Sequence, residues 1–192
     1  MSDKLLGSRI AGGNTAYKRS EADFYPTPPE VSRALLDILD LPPGSVIWEP
    51  ACGAGHMVQE ISAAGFTAIG TDINSGVDFL TAPLPAGTAF VMTNPPFSLA
   101  ADFIERALSL GVPFAFLLKA QFWHARSRYE LFYKHPPAYV LPLTWRPDFL
   151  FKTRGGGAPL MDVMWCLWHP GDTKTKYMPL ERPRLEEARN EH

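Results

Sequence analysis

The sequence predicts a doubly wound α/β domain: a mostly parallel, seven-stranded sheet with one strand reversed near its C-terminal end. Three observations predict it. Short β-rich runs alternate with helical periodicities along the 192 residues, the pattern of parallel strands joined by crossover helices. Two of these runs end in Gly- or Pro-rich turns, at the strand ends where open α/β sheets bind ligands. The last two runs, 138–143 and 162–168, have no convincing helix between them, so one of them is expected to run antiparallel.

Residues 1–22, with three glycines and the Lys18-Arg19 pair, read as a flexible basic arm. Thr27-Pro28-Pro29-Glu30 reads as a helix start, with Thr27 as N-cap and Glu30 closing a capping box. That helix continues through Val31, Leu35, Leu36 and Leu39 to the stop at Pro42-Pro43-Gly44. Strands are expected at 45–48, 67–73, 77–80, 89–93, 113–118, 138–143 and 162–168. Helices are expected at 56–64, with Gly65 as terminator, at 100–110, and at 125–134. Residues 144–161 form a long Gly-rich basic loop, a length that in a compact domain usually serves function or is disordered. The folded domain is thus expected over 23–170, with a tail of balanced charge over 171–192.

Composition excludes several classes. A hydrophobic fraction of 46% and a charged fraction of 20% are ordinary for a globular domain. The first twenty residues lack the apolar core of a signal peptide, and the run 112–118 is too short to span a bilayer. Two cysteines, Cys52 and Cys166, make no disulfide framework, and His56, His124 and His135 share no metal-ligand spacing. A reducing cytoplasm, with no membrane and no metal, is the expectation. The net charge of −2 does not advertise nucleic-acid binding, but its distribution is uneven. Lys119, Arg126, Arg128, Lys134, Arg146, Lys152 and Arg154 gather between residues 113 and 157 against Glu130 and Asp148 only, as expected if one face meets phosphates. Trp123, Tyr129 and Trp145 are interleaved with these cations and could stack on bases or pack the core.

The chemistry concentrates in two loops. In Glu49-Pro50-Ala51-Cys52-Gly53-Ala54-Gly55, the glycines let the backbone turn tightly against a ligand. Glu49 could meet an amino group, Asp72 at the next strand end could take ribose hydroxyls, and Asp78-Phe79 offers an acceptor and a ring for a base. An adenosine-type ligand is favoured; the missing third glycine lowers a dinucleotide. The second loop is Asn94-Pro95-Pro96-Phe97. Its prolines stiffen the turn, so the Asn94 side-chain oxygen and the Pro95 carbonyl can both accept from one exocyclic amine and turn its lone pair toward an electrophile. Phe97 offers a face for a base flipped from its duplex.

These motifs together resemble the amino-methyltransferases, and most of all the small DNA N6-adenine methyltransferases of phages, prophages and bacteria. Asp23-Phe24-Tyr25-Pro26-Thr27-Pro28 looks like their N-terminal motif, Trp48–Gly55 like their S-adenosylmethionine (SAM) loop, and Asn94–Phe97 like their catalytic motif. Arg146-Pro147-x-Phe149 is similar to a segment on their target-base side. The resemblance implies a Rossmann-like class I SAM-dependent methyltransferase fold. It implies that Tyr25, Thr27, Pro28, Glu49, Pro50, Ala51, Gly53, Gly55, Asp72, Ile73, Asp78 and Phe79 hold SAM. It further implies catalysis by Asn94, Pro95, Pro96 and Phe97, with DNA contacts from Lys119, Trp123, Arg126, Arg128, Arg146, Lys152 and Arg154. The sequence departs from the larger family members in leaving no room for a separate target-recognition domain, so readout would fall to loops, the N-terminal arm or the second subunit of a homodimer. Because Asn-Pro-Pro-Phe also serves RNA bases and protein glutamine amides, RNA, protein, and a catalytically silent nucleic-acid-binding subunit remain alternatives.

Overall fold

The computed structural model describes residues 26–149 and 161–184. Tyr25, Lys152 and Arg154, and with them most of the Gly-rich loop, lie outside the described residues. In chain order the elements are α1 (Pro29–Leu36), β1 (Val46–Glu49), α2 (His56–Ala63), β2 (Thr67–Gly70), β3 (Thr88–Thr93), α3 (Ala100–Leu110), β4 (Phe114–Lys119), α4 (Tyr129–Lys134), β5 (Tyr139–Pro142), β6 (Val163–Trp168) and β7 (Lys176–Tyr177). The strands form one seven-stranded sheet in the order β2-β1-β3-β4-β6-β5-β7. All pairings are parallel except those of β6, which runs against both β4 and β5. The single reversed strand near the C-terminal end is therefore present.

Period-two alternation decides which side chains face which layer. Phe90 and Met92 of β3, Ala115 and Leu117 of β4, and Trp165 of β6 pack with Val31, Leu35 and Ile61 of α1 and α2. Their neighbours Val91, Phe114, Phe116, Leu118, Cys166 and Trp168 turn the other way and pack with Phe103, Ile104 and Ala107 of α3. Both faces are covered, so the central strands are almost continuously apolar and buried. Buried Trp165 also donates through Nε1 to the Val31 carbonyl at 2.9 Å, tying β6 to α1. Gly111 ends α3 in the left-handed region at φ 72°, a conformation that favours glycine.

Four local expectations are corrected. Thr27 does not cap α1: the N-cap is Pro28, with no side-chain cap bond. The Thr27 hydroxyl instead accepts from Asn94 Nδ2 at 3.1 Å, and Glu30 receives Arg182 at 3.1 Å. No strand forms at 77–80. There the backbone is taken by local partners: Asp78 Oδ1 accepts from Leu80 N at 3.0 Å, and Arg106 of α3 donates to the carbonyls of Phe79 (3.3 Å) and Ala82 (2.7 Å). An aspartate that turns the chain onto its own carboxylate competes with sheet pairing. The helix expected over 125–134 is a 3-10 turn at Arg126–Arg128 followed by the short α4. The seventh strand comes instead from β7, which pairs in parallel with β5.

Leu180, just after β7, is 4% exposed and joins the core under α1. Its amide donates to the Pro142 carbonyl at 2.8 Å. Leu180→Ala should therefore cost about 2–4 kcal/mol, read as a lowered urea midpoint with an unchanged slope.

Candidate active site

The carboxyl ends of β1, β2 and β3 open on one cleft of about 920 Å³. Adjacency in the sheet is what brings them together, since β1 pairs with β2 on one side and β3 on the other. The ladder runs on past the strands: Thr71 N donates to the Glu49 carbonyl and Cys52 N to the Thr71 carbonyl, each at 2.9 Å. Trp48 Nε1 adds a 2.9 Å bond to Thr71 Oγ1. The loop after β1 leaves the sheet through Gly53 (φ 48°) and Gly55 (φ 81°). At Gly55 an added Cβ would meet nothing within 4 Å, so its glycine serves the left-handed backbone rather than space. Gly70 serves space: a Cβ there would stand 2.7 Å from Val58 Cγ2 and 3.3 Å from Cys52.

Glu49 ends β1 and is 2% exposed. Its Oε1 accepts from Thr93 Oγ1 at 3.1 Å, while Oε2 is buried with no hydrogen-bond partner. Burial pushes this carboxyl from the ordinary 4.5 up to about 8; the Thr93 bond opposes the shift and the nearby negative charge of Asp72 adds to it. Burial likewise raises the Cys52 thiol beside it, with Glu49 and Asp72 adding to the shift. A buried carboxylate with an orphan oxygen at the floor of a cleft is matched by an incoming cation that donates hydrogen bonds.

Asp72 stands between the Gly loop and the turn that follows β2. Its Oδ2 accepts from Gly53 N at 2.9 Å and its Oδ1 from Asn74 N at 2.8 Å, so it locks the two loops to each other while lining the cleft. Ile73 beside it is 63% exposed and lines the same cleft, as do Pro50, Ala51 and Asp78. Phe79 also lines it but is 2% exposed, its ring packed on Trp48 and Phe103 at 5.2 and 4.8 Å between centroids.

On the β3 side, Thr93 is buried and bonded to Glu49, and the next residue, Asn94, reaches the cleft. The Asn94 amide nitrogen donates to Thr27 Oγ1, which orients the other end of the amide, the acceptor oxygen, away from Thr27. Pro96 and Thr27 line the cleft as well. Phe97 opens a 3-10 turn, and Lys119, the last residue of β4, holds its Nζ 3.6 Å from the Phe97 ring centroid, a cation–π contact.

The cations expected to meet nucleic acid are divided. Lys119 sits at the Phe97 loop. Arg126 and Arg128 line a second groove with Trp123. Arg146 is ion-paired with Asp162 at 2.7 Å, whose carbonyl accepts from Ala120 N, next to Lys119. Sequence reasoning missed Thr93 and Gly70. A threonine in a β-branched run signals only strand, and a lone glycine at a strand end signals only a turn, so neither announced its role.

No family model and no curated protein matches the chain. Solved structures do. A type I restriction-modification methyltransferase subunit from Streptococcus thermophilus superposes with a TM-score of 0.61 at 12% identity, over 91% of this chain and 50% of that one. A protein assigned as an RNA methyltransferase from Pyrococcus horikoshii gives 0.53 at 13% identity, over 84% and 96%. A SAM-dependent O-methyltransferase from Thermotoga maritima gives 0.50 at 10% identity, over 79% and 69%. The fold is that of the class I SAM-dependent methyltransferases. The chain spans half the length of the Streptococcus subunit. Among the described residues, no helix is long and apolar enough to cross a membrane.

The Glu49 shift sets a pH signature of its own. With its carboxyl raised to about 8 when folded and 4.5 as the ordinary value, the folded state binds more protons than the unfolded state between those limits. Stability therefore falls as pH rises through that window. Glu49→Gln removes this slope and keeps an acceptor for Thr93. At pH 8 the variant should melt at least about 5 °C higher than the wild type, and at pH 5 the gap should shrink to a small part of that, as followed by calorimetric scans.

Proposed function

We propose that the protein transfers the methyl group of SAM to the exocyclic amine of a nucleic-acid adenine, with N6 of adenine in DNA as the acceptor. One observation carries the reading: a buried carboxylate and a proline-flanked amide, at the ends of adjacent strands, are linked through Thr93 and line a single cleft. Donor and acceptor sites are then neighbours by construction of the sheet. SAM supplies a methyl group made electrophilic by its sulfonium.

The residues present fit SAM. The orphan Oε2 of Glu49 is suited to the amino group of the methionine part, and the Gly53–Gly55 backbone allows close approach. Asp72 is suited to the ribose hydroxyls; each of its oxygens already holds one backbone amide, and each retains a second lone pair. The exposed Ile73 side chain offers an apolar cover for the adenine, with Asp78 as an acceptor for its amine. Thr27 and Pro28, with Tyr25 before them, belong to the methionine end.

At the acceptor site, the Asn94 oxygen and the Pro95 carbonyl accept the two N–H bonds of the target amine. This draws its lone pair out of conjugation with the ring, and the rigid prolines prepay the orientation. Transfer breaks the sulfonium S–CH3 bond, whose electron pair returns to sulfur as the neutral thioether of S-adenosylhomocysteine, and forms the N–CH3 bond. The N–H proton then shed by the methylated amine goes to solvent, the two oxygens orienting that N–H without taking its proton. Phe97 stacks on the base, sharing its ring with Lys119. Lys119, Trp123, Arg126, Arg128 and Arg146, together with Lys152 and Arg154, are assigned to the nucleic acid. The restriction-modification neighbour supports DNA. RNA is the second reading, favoured by the match in length to the Pyrococcus protein, of which this chain spans 96%.

Asn94→Ala should lower methyl transfer by about 10²–10³-fold or more while calorimetry still detects SAM; normal turnover in that variant would sink the assignment. SAM affinity should also weaken as pH falls below about 8, the value for Glu49, because the ammonium needs the ionised carboxylate. Proton release on binding, measured across buffers of different ionisation enthalpy, checks the sign. Transfer to matched DNA and RNA strands, read by mass spectrometry of the nucleosides, decides the acceptor.

A further inference from the structure

Beyond the end of β4, a groove of about 830 Å³ lies outside the cleft already described. Its walls combine rings and cations. Tyr129 and Tyr133 of α4 stand one turn apart with their rings stacked, 5.5 Å between centroids and 16° between planes. They are 61% and 73% exposed, among the most exposed large side chains of the described residues. Beneath them, Trp123 is stacked on Phe132 at 4.2 Å and bonded through Nε1 to Met164 Sδ at 3.2 Å, so this part of the wall is fixed from inside. Arg128 is also fixed: it donates to the Phe122 carbonyl at 2.8 Å and lies 3.9 Å over the Phe122 ring. The acid in the groove, Glu130, is offset by Lys134 at 2.9 Å, which leaves Arg126 and Arg128 to set the sign of the local potential.

Two exposed, prestacked aromatic rings beside fixed positive charge suit one class of ligand. Bases stack on such rings whatever their identity, and the cations track the phosphates. A duplex hides its base faces and could use only the charge. We infer that this groove binds an unpaired nucleotide strand next to the target base, with Tyr129 and Tyr133 as the stacking platform and Arg126 and Arg128 as phosphate partners. The inference rests on the nucleic-acid reading above and deepens it, because it makes an opened or single strand the preferred substrate form.

Continuity with the candidate active site supports this. Lys119 touches Phe97, and the 3-10 turn from Ala120 to Trp123 leads directly from Lys119 into the groove. A four-residue 3-10 turn advances about 8 Å, so the Trp123 edge of the groove is separated from Lys119 by about the length of one or two nucleotides. The sequence offered Trp123 and Tyr129 as stacking candidates beside Arg126 and Arg128; Tyr133, on the same helix face as Tyr129, was not singled out. In the structure Arg126, Arg128, Tyr129 and Tyr133 all line the one groove.

The test is equilibrium binding of the full chain, by fluorescence anisotropy, to labelled unpaired DNA and RNA oligonucleotides of about 12 nucleotides and to the corresponding duplexes, without SAM. Unpaired strands should bind at least about fivefold tighter than duplex at matched salt, and Tyr129→Ala and Tyr133→Ala should each weaken them by about fivefold or more. Tyr133→Phe should retain the affinity, since the ring is what stacks. The DNA and RNA arms show which sugar the groove takes. Both tyrosines are exposed, so the substitutions leave the core intact. Unchanged affinity in the alanine variants overturns the proposal, as does self-association of the chain that Tyr133→Ala abolishes. Calorimetry of SAM binding on the same samples separates the two readings: SAM bound with no effect of the tyrosines on strand affinity removes the groove alone, and tyrosine-dependent strand binding by a chain that takes up no SAM removes the methyltransferase reading alone.

Discussion

A carboxylate that the fold keeps dry is the constraint around which the rest is arranged. Glu49 is held at the end of β1 with one oxygen satisfied by Thr93 and the other by nothing in the chain. Burying such a group is costly, and an isolated domain would be more stable without it. The fold meets that cost in part by holding the proton on the carboxyl up to about pH 8. The layers on either side hold Glu49 there: Trp48 before it is fully buried on the α3 side and Ile47 on the α1–α2 side.

From that point the site spreads through shared partners rather than separate ones. Thr93 ties the carboxylate to β3, and its neighbour Asn94 is tied to Thr27 ahead of α1. Asp72 joins the Gly loop to the turn after β2. Arg106 reaches across from α3 to hold the Phe79–Ala82 segment by its carbonyls. Each link crosses between elements distant in sequence, so the cleft is a property of the assembled sheet rather than of any one motif.

Much of this was legible in the residues, and the limits of legibility have physical causes. The central strands announced themselves because both of their faces are buried, which makes long apolar runs. The reversed β6 was legible from a missing helix. The two loops were legible because their chemistry depends on glycine and proline, residues with few other uses. The false strand at 77–80 arose because Val77, Phe79 and Leu80 are apolar for packing, as Phe79 is against Trp48, while Asp78 bends the backbone. The edge strand β7 was invisible because two exposed residues carry no pattern. Thr27 was misassigned for a similar reason: a hydroxyl before a proline-led helix is a good cap by sequence, and only the fold brings Asn94 within its reach.

The bond from Trp165 to Val31 joins residues 134 positions apart, and it bears on the order in which the molecule can mature. α1 rests on the face that Trp165 completes, and Thr27, one residue short of the Pro28 that caps it, orients Asn94. Contacts of such long sequence separation form late, after the loop-closure entropy of the intervening chain has been met. A nascent chain that has released both loops, but not yet β6, holds every residue of the candidate pocket without its arrangement. Assembly of the cleft is thereby deferred to the last core strand, and a half-made domain has the cleft's residues without the cleft.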